Sequence, residues 1–141
     1  MIKRTIPLRV LLVDDEAYMR TFVGRVLQKS IDCTVVEARD GQEAVALSQS
    51  INPELIILDI NMPRMDGVTA LGRIRALKPY TPILMLTSIS EEAVVEECVN
   101  LGASYFILKD IRADQLTTEL QGMLVQFFPD QFIPHEQPKA H

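Results

Sequence analysis

The stretch Pro53-Glu-Leu-Ile-Ile-Leu-Asp-Ile-Asn-Met-Pro-Arg-Met-Asp-Gly67 decides the fold. Its run Leu55–Leu58 has no polar residue on either face. A strand of that kind has to be covered on both sides, as in the middle of a parallel sheet sandwiched by helices. The run ends on Asp59. A carboxylate directly after a strand is usually a turn former or a helix cap. Here, however, Ile60-Asn61-Met62-Pro63 follows, which is not a capping sequence. The next helical pattern begins later, at Val68–Leu77, with Asp66-Gly67 at its start.

On either side, short apolar runs alternate with amphipathic segments. Toward the N-terminus, Leu8–Val13 reads as strand β1. Ala17–Lys29 reads as helix α1, with Met19, Phe22, Val23, Val26 and Leu27 on one face. Cys33–Ala38 reads as β2. Gly41–Ser50 reads as α2, capped by Asp40, with Ala44, Val45 and Leu47 inward. Leu55–Leu58 is then β3 and Val68–Leu77 is α3. Toward the C-terminus, Pro79 and Pro82 bracket a turn before β4, Ile83–Leu86. Ser90 caps α4, which runs through Leu101 and stops at Gly102. β5 is Tyr105–Leu108, and α5 is Ala113–Phe128 with Leu116, Leu120, Leu124 and Phe127 as its stripe. A βα unit repeated five times, with right-handed crossovers, predicts an α/β fold. It is a flavodoxin-like, doubly wound, five-stranded parallel sheet of order 2-1-3-4-5 with five helices. Residues 1–128 form that domain. Residues 129–141, with Pro134 and Pro138, read as a tail or linker.

Composition narrows the function. The chain has 141 residues and a formal net charge of −5. Its basic residues are scattered, with no run longer than Lys3-Arg4, so binding of nucleic acid by this chain alone is not expected. No segment is long and apolar enough for a membrane span or signal core. Cys33 and Cys98 lack partners at metal-ligand spacing and read as reduced thiols in a cytoplasmic protein.

In a parallel α/β sheet the binding crevice lies beyond the carboxyl ends of the strands. Asp14 and Asp15 follow β1, Asp59 follows β3, Thr87 follows β4 and Lys109 follows β5. Three carboxylates brought together repel, and a divalent cation relieves that repulsion. Mg²⁺ is the apt cation, because it takes carboxylate oxygens while sharing itself with a phosphate. A carboxylate can also act as nucleophile and form an aspartyl phosphate. Lys109 would then stabilise the charge of the transferring group, with Thr87 as a hydroxyl donor.

The blocks LLVDDE (Leu11–Glu16), LIILDINMPRMDG (Leu55–Gly67), MLTS (Met85–Ser88) and GASYFILK (Gly102–Lys109) together resemble the response-regulator receiver family of two-component signalling. The resemblance runs from about Leu8 to Phe128. It implies that Asp59 is the phosphoacceptor and that Lys109 pairs with the phosphoryl group. It implies that Asp15 binds Mg²⁺ directly, Asp14 through water and Asn61 through its backbone carbonyl. Thr87 and Phe106 become the switch pair. Met62-Pro63 and Asp66-Gly67 shape the loop after β3, with Gly67 supplying backbone freedom. Implied partners are a histidine kinase or phosphotransfer protein on one side, and an output protein or output domain on the other. The α4–β5–α5 surface would be the output face, or a homodimer contact. Such a module is not an enzyme with a separate substrate, because it assists only its own phosphorylation and dephosphorylation.

One residue departs from the common pattern: Asp110, where many receivers have proline, follows Lys109, and the Lys109–Asp110 bond is expected to be trans. The Leu-Lys-Asp ending resembles receivers of the NarL/LuxR class, so the sequence fits both a stand-alone receiver and one cut from a longer regulator. Other readings fit less well. An aspartyl-phosphate phosphatase needs a second acidic residue where Asn61 stands. A flavin binder needs a phosphate loop where Asp14-Asp15 would repel phosphate. A receiver working without phosphorylation has no need of the intact acidic cluster and Lys109.

Overall fold

In the computed structural model, which describes residues 6–131, each apolar run foreseen above is a strand. The elements are β1 Leu8–Val13, α1 Ala17–Ser30, β2 Cys33–Ala38, α2 Gly41–Ser50, β3 Leu55–Leu58, α3 Gly67–Leu77, β4 Ile83–Thr87, α4 Glu92–Asn100, β5 Tyr105–Leu108 and α5 Ala113–Phe127. All strand pairs are parallel, in the order β2-β1-β3-β4-β5. The expected doubly wound α/β fold of order 2-1-3-4-5 is therefore present. Residues 132–141, most of the expected tail and including His135 and His141, lie outside the described residues.

Side chains alternate across the sheet and divide the core in two. Leu8, Val10 and Leu12 of β1 face α1 and α5, where Val23, Leu27, Leu116 and Leu120 meet them. Leu11 and Val13 face the other way, toward Ala44, Leu71, Ile74 and Cys98 of α2, α3 and α4. All four residues of β3 are buried, as a central strand requires. Fully burying one such aliphatic side chain contributes roughly 1.5–3 kcal/mol, so β3 anchors both halves of the core.

The register brings the strand ends to one edge. Val13 lies level with Ala38 and with Leu58, Leu58 with Met85, and Thr87 with Leu108. Asp14, Asp59 and Lys109, each one residue beyond its strand, therefore emerge side by side.

Six boundaries differ from expectation: α1 runs on to Ser30, α3 begins at Gly67, α5 ends at Phe127, and both ends of α4 and the end of β4 differ as well. Helix α4 begins at Glu92 with Glu91 as an uncapped N-cap, so Ser90 is not its cap. It ends at Asn100, with Leu101 as C-cap. Its close is a Schellman turn: Gly102 has φ +102°, its N–H donates to Val99 O, and Ala103 N–H donates to Cys98 O. Strand β4 takes in Thr87, because the Lys109 N–H donates to Thr87 O and continues the ladder. Asp40 does cap α2, accepting from Glu43 N–H at 2.8 Å. The Lys109–Asp110 bond is trans, and both cysteines are free thiols, Cys98 buried and Cys33 half-buried.

Candidate functional site

At the carboxyl edge of the sheet, Asp14, Asp59 and Thr87 are polar side chains buried to within a few per cent. Burying a carboxylate is costly unless it is paired or hydrogen-bonded. Lys109 supplies the pairing: its Nζ lies 2.8 Å from Asp14 Oδ2 and 3.0 Å from Asp59 Oδ2. Backbone donors satisfy the other oxygens. Glu16 N–H donates to Asp14 Oδ1 at 2.9 Å, and Ile60 N–H donates to Asp59 Oδ1 at 2.7 Å. Asp15, one residue on, is exposed. Carboxylate oxygens of Asp14, Asp15 and Asp59 all lie within 4.8 Å of one another.

The charges do not balance. Two like charges at that separation repel by about 3 kcal/mol at an effective dielectric near 20, and one ammonium faces three carboxylates. Burial raises the Asp14 carboxyl above its usual range, although the hydrogen bonds from Lys109 and Glu16 N–H oppose the rise. Burial also works against the charge on Lys109, but its bonds to Asp14 and Asp59 outweigh it and hold the ammonium well above the ordinary lysine range. The pocket thus keeps a fixed cation beside Asp59 and retains excess negative charge that a further cation would relieve. Three convergent carboxylate oxygens suit a hard divalent ion such as Mg²⁺.

Thr87 is fully buried at the end of β4, and its Oγ1 accepts from Ile89 N–H at 3.3 Å. Phe106 lies level with Met85 on the neighbouring strand and is half-buried against the α2–α4 side of the core. Met85 points to that side, so Thr87, two residues on, shares the face with Phe106. Asn61 is exposed in the loop after β3.

Four supports of the site were not foreseen. Glu16 Oε1 lies 3.4 Å from Lys109 Nζ. Arg20 donates to Asp14 O at 2.8 Å and to Glu37 at 2.7 Å, fastening the β1–α1 loop. Arg64, at φ +67°, pairs with Asp40 at 2.8 Å, while Gly41 N–H donates to Met65 O at 3.0 Å. These two contacts brace the loop that follows Asp59. Gly67 packs so closely that a Cβ there would lie 1.9 Å from Asp59 O. Its role is room, not the backbone freedom expected of it. Glu16 and Arg20 carry a weak local signal, being near Asp14 in sequence. The Asp40–Arg64 pair spans the fold and carries none.

A flavodoxin-like α/β sheet with an acidic pocket and a lysine at its carboxyl edge narrows the class considerably. Residues 10–121 match the response regulator receiver domain, and the chain belongs to that family, the CheY-like receivers of two-component signalling. Chemotaxis protein CheY of Listeria monocytogenes is 35% identical over 114 residues, which span 81% of this chain and 96% of that one. The crystal structure of the response regulator domain of Thermotoga maritima CheB is 36% identical with a TM-score of 0.77, over 86% of this chain and 96% of that one. A chain of the CheX–CheY–BeF3–Mg complex of Borrelia burgdorferi is 28% identical with a TM-score of 0.78, over 85% of this chain and 91% of that one. Among the described residues no helix is long and apolar enough to cross a membrane.

Proposed function

We propose that this chain is a phosphorylation-controlled switch. Asp59 takes a phosphoryl group from the phosphohistidine of a histidine kinase or phosphotransfer protein in a Mg²⁺-dependent reaction, and the change is passed to an output protein or output domain. The observation that carries this reading is the pairing of the buried Asp59 carboxylate with Lys109 at 3.0 Å, inside a cluster whose negative charge exceeds its positive charge. A carboxylate oxygen of Asp59 forms the bond to phosphorus as the phosphorus–nitrogen bond of the donor breaks. Lys109 moves from neutralising Asp59 to neutralising the phosphoryl oxygens, a preorganised cation that needs little rearrangement. Asp14, Asp15, Asp59 and the Asn61 backbone carbonyl would hold the Mg²⁺. When bound, the ion offsets charge on the transferring group and relieves the repulsion among the carboxylates. Thr87 turns from Ile89 N–H and donates to a phosphoryl oxygen, and Phe106 moves into the space it leaves.

The CheX–CheY complex of Borrelia burgdorferi, which contains Mg and the phosphoryl mimic BeF3, supports the same ligand pair for this pocket. We read the chain as a cytoplasmic module that turns over no separate substrate and signals through the α4–β5–α5 face. The test is the rate of phosphorylation by acetyl phosphate, followed by intact mass, for the wild type, for Asp15→Ala and in EDTA. The reading expects Asp15→Ala and EDTA each to slow labelling at least about tenfold. Unchanged labelling in both would place the chemistry elsewhere.

A further inference from the structure

Strand β5 lies at one edge of the sheet, and among the described residues its outer edge pairs with no other strand. Beside it lies a groove of about 580 Å³ between β5 and the start of α5. Phe106, Leu108 and Ile111 make its apolar floor, and Leu108 is 44% exposed. Asp110, Asp114 and Glu119 stand at its rim, and among the described residues no Lys or Arg lines it. Arg112 adjoins the rim but is already spent on Asp114 at 3.1 Å. Glu119 accepts from Tyr105 OH at 3.1 Å. Asp110 is exposed, with no cation paired to it among the described residues. Helix α4, which leads into β5, carries the same sign, with Glu92, Glu96 and Glu97 exposed. None of α4, β5 and α5 contains a Lys or Arg.

We infer that this groove takes a basic amphipathic segment of another protein, apolar side chains on Phe106, Leu108 and Ile111 and Lys or Arg against Asp110, Glu119 and the α4 glutamates. The inference rests on the output-face reading above and gives that face a partner of defined chemistry. Charge complementarity selects the partner's sign and speeds its encounter, while the apolar floor supplies contact energy. A second copy of this chain fits poorly. A two-fold contact sets the same patch against itself, which would oppose acidic rim to acidic rim.

The test uses two fluorescent peptides of the same apolar pattern, one with leucine and lysine at helical spacing and the other with glutamate for lysine. Affinity is read by anisotropy, with and without beryllofluoride and Mg²⁺. The lysine peptide should bind about tenfold or more tightly than the glutamate peptide, and less tightly as salt rises. The double variant Asp110→Asn/Glu119→Gln should weaken it about three- to tenfold. Amide shifts should move at Phe106–Ile111 and Thr118. Equal affinity of the two peptides would overturn the inference. So would shifts confined to Asp14, Asp15 and Asp59, or a sedimentation shift to a dimer that excludes the peptide. Beryllofluoride uptake, followed by fluorine NMR, reports on the phosphorylation reading separately. Uptake without peptide discrimination sinks only the partner's chemistry. Discrimination without uptake sinks only the phosphorylation chemistry.

Discussion

Lys109 is the residue on which the pocket turns. It lies within hydrogen-bond distance of two buried carboxylates, and both would be left uncompensated by its removal. Lys109→Met in EDTA should therefore lower stability by about 3–5 kcal/mol, the range for breaking a buried ion pair from one side, as measured by urea unfolding. A loss under about 1 kcal/mol would mean that solvent already screens Asp14 and Asp59. Asp14→Asn should act in the opposite direction. It removes one of three mutually repelling carboxylates and leaves the Lys109–Asp59 pair intact. In EDTA the variant should be as stable as the wild type or more so, by up to on the order of 1 kcal/mol, while stabilisation by added Mg²⁺ falls away. Such a variant markedly less stable than the wild type without metal would show that the carboxylates are not in surplus.

Elements reach the site through close packing and caps. Helix α3 starts against the end of β3, and the missing side chain of Gly67 makes that approach possible. Gly67→Ala pushes a methyl group into the Asp59 backbone, 1.9 Å from its oxygen, where nothing flexible can give way. It should cost about 3 kcal/mol or more. Gly24→Ala, with nothing near its Cβ in α1, should instead gain roughly 0.5–1 kcal/mol; a similar change in both would remove packing as the explanation. Asp40 caps α2 and pairs with Arg64. The Glu43 N–H bond, aided by Arg64 against the cost of burial, lowers its carboxyl below the usual range. A depressed carboxyl stabilises the fold above its unfolded-state pKa, and that contribution is lost as pH falls through the folded value. Asp40→Ala should cost about 1–2 kcal/mol at pH 7, and the difference from wild type should shrink below about pH 4. A pH-independent gap would mean that the charge plays no part.

For the whole molecule, the sequence showed what depends on local pattern and hid what depends on contacts across the fold. Apolar runs such as Leu55–Leu58 and the 3.6-residue stripes settled the βα repeat. The strand-end rule then picked out Asp14, Asp59, Thr87 and Lys109, because in a parallel sheet position along a strand fixes position at the edge. Helix starts were less legible. Ser90 looks like a cap, yet α4 begins past it, since one residue of slack in a loop is invisible to periodicity. The Arg64–Asp40 clamp was illegible, because each residue is ordinary by itself and only the packing of α2 against the β3–α3 loop unites them. Arg75 is similar. Its guanidinium donates to the carbonyls of Gly102, Lys78 and Thr81, tying the end of α4 to the α3–β4 turn with no carboxylate partner to reveal it. Burial lowers its pKa accordingly.

The central claim is that one carboxylate, Asp59, carries the phosphoryl group. Intact mass after incubation with acetyl phosphate and Mg²⁺ tests it most directly, on the wild type and on Asp59→Asn side by side. A single phosphoryl adduct is expected on the wild type and none on Asp59→Asn. A stoichiometric adduct on Asp59→Asn would contradict it.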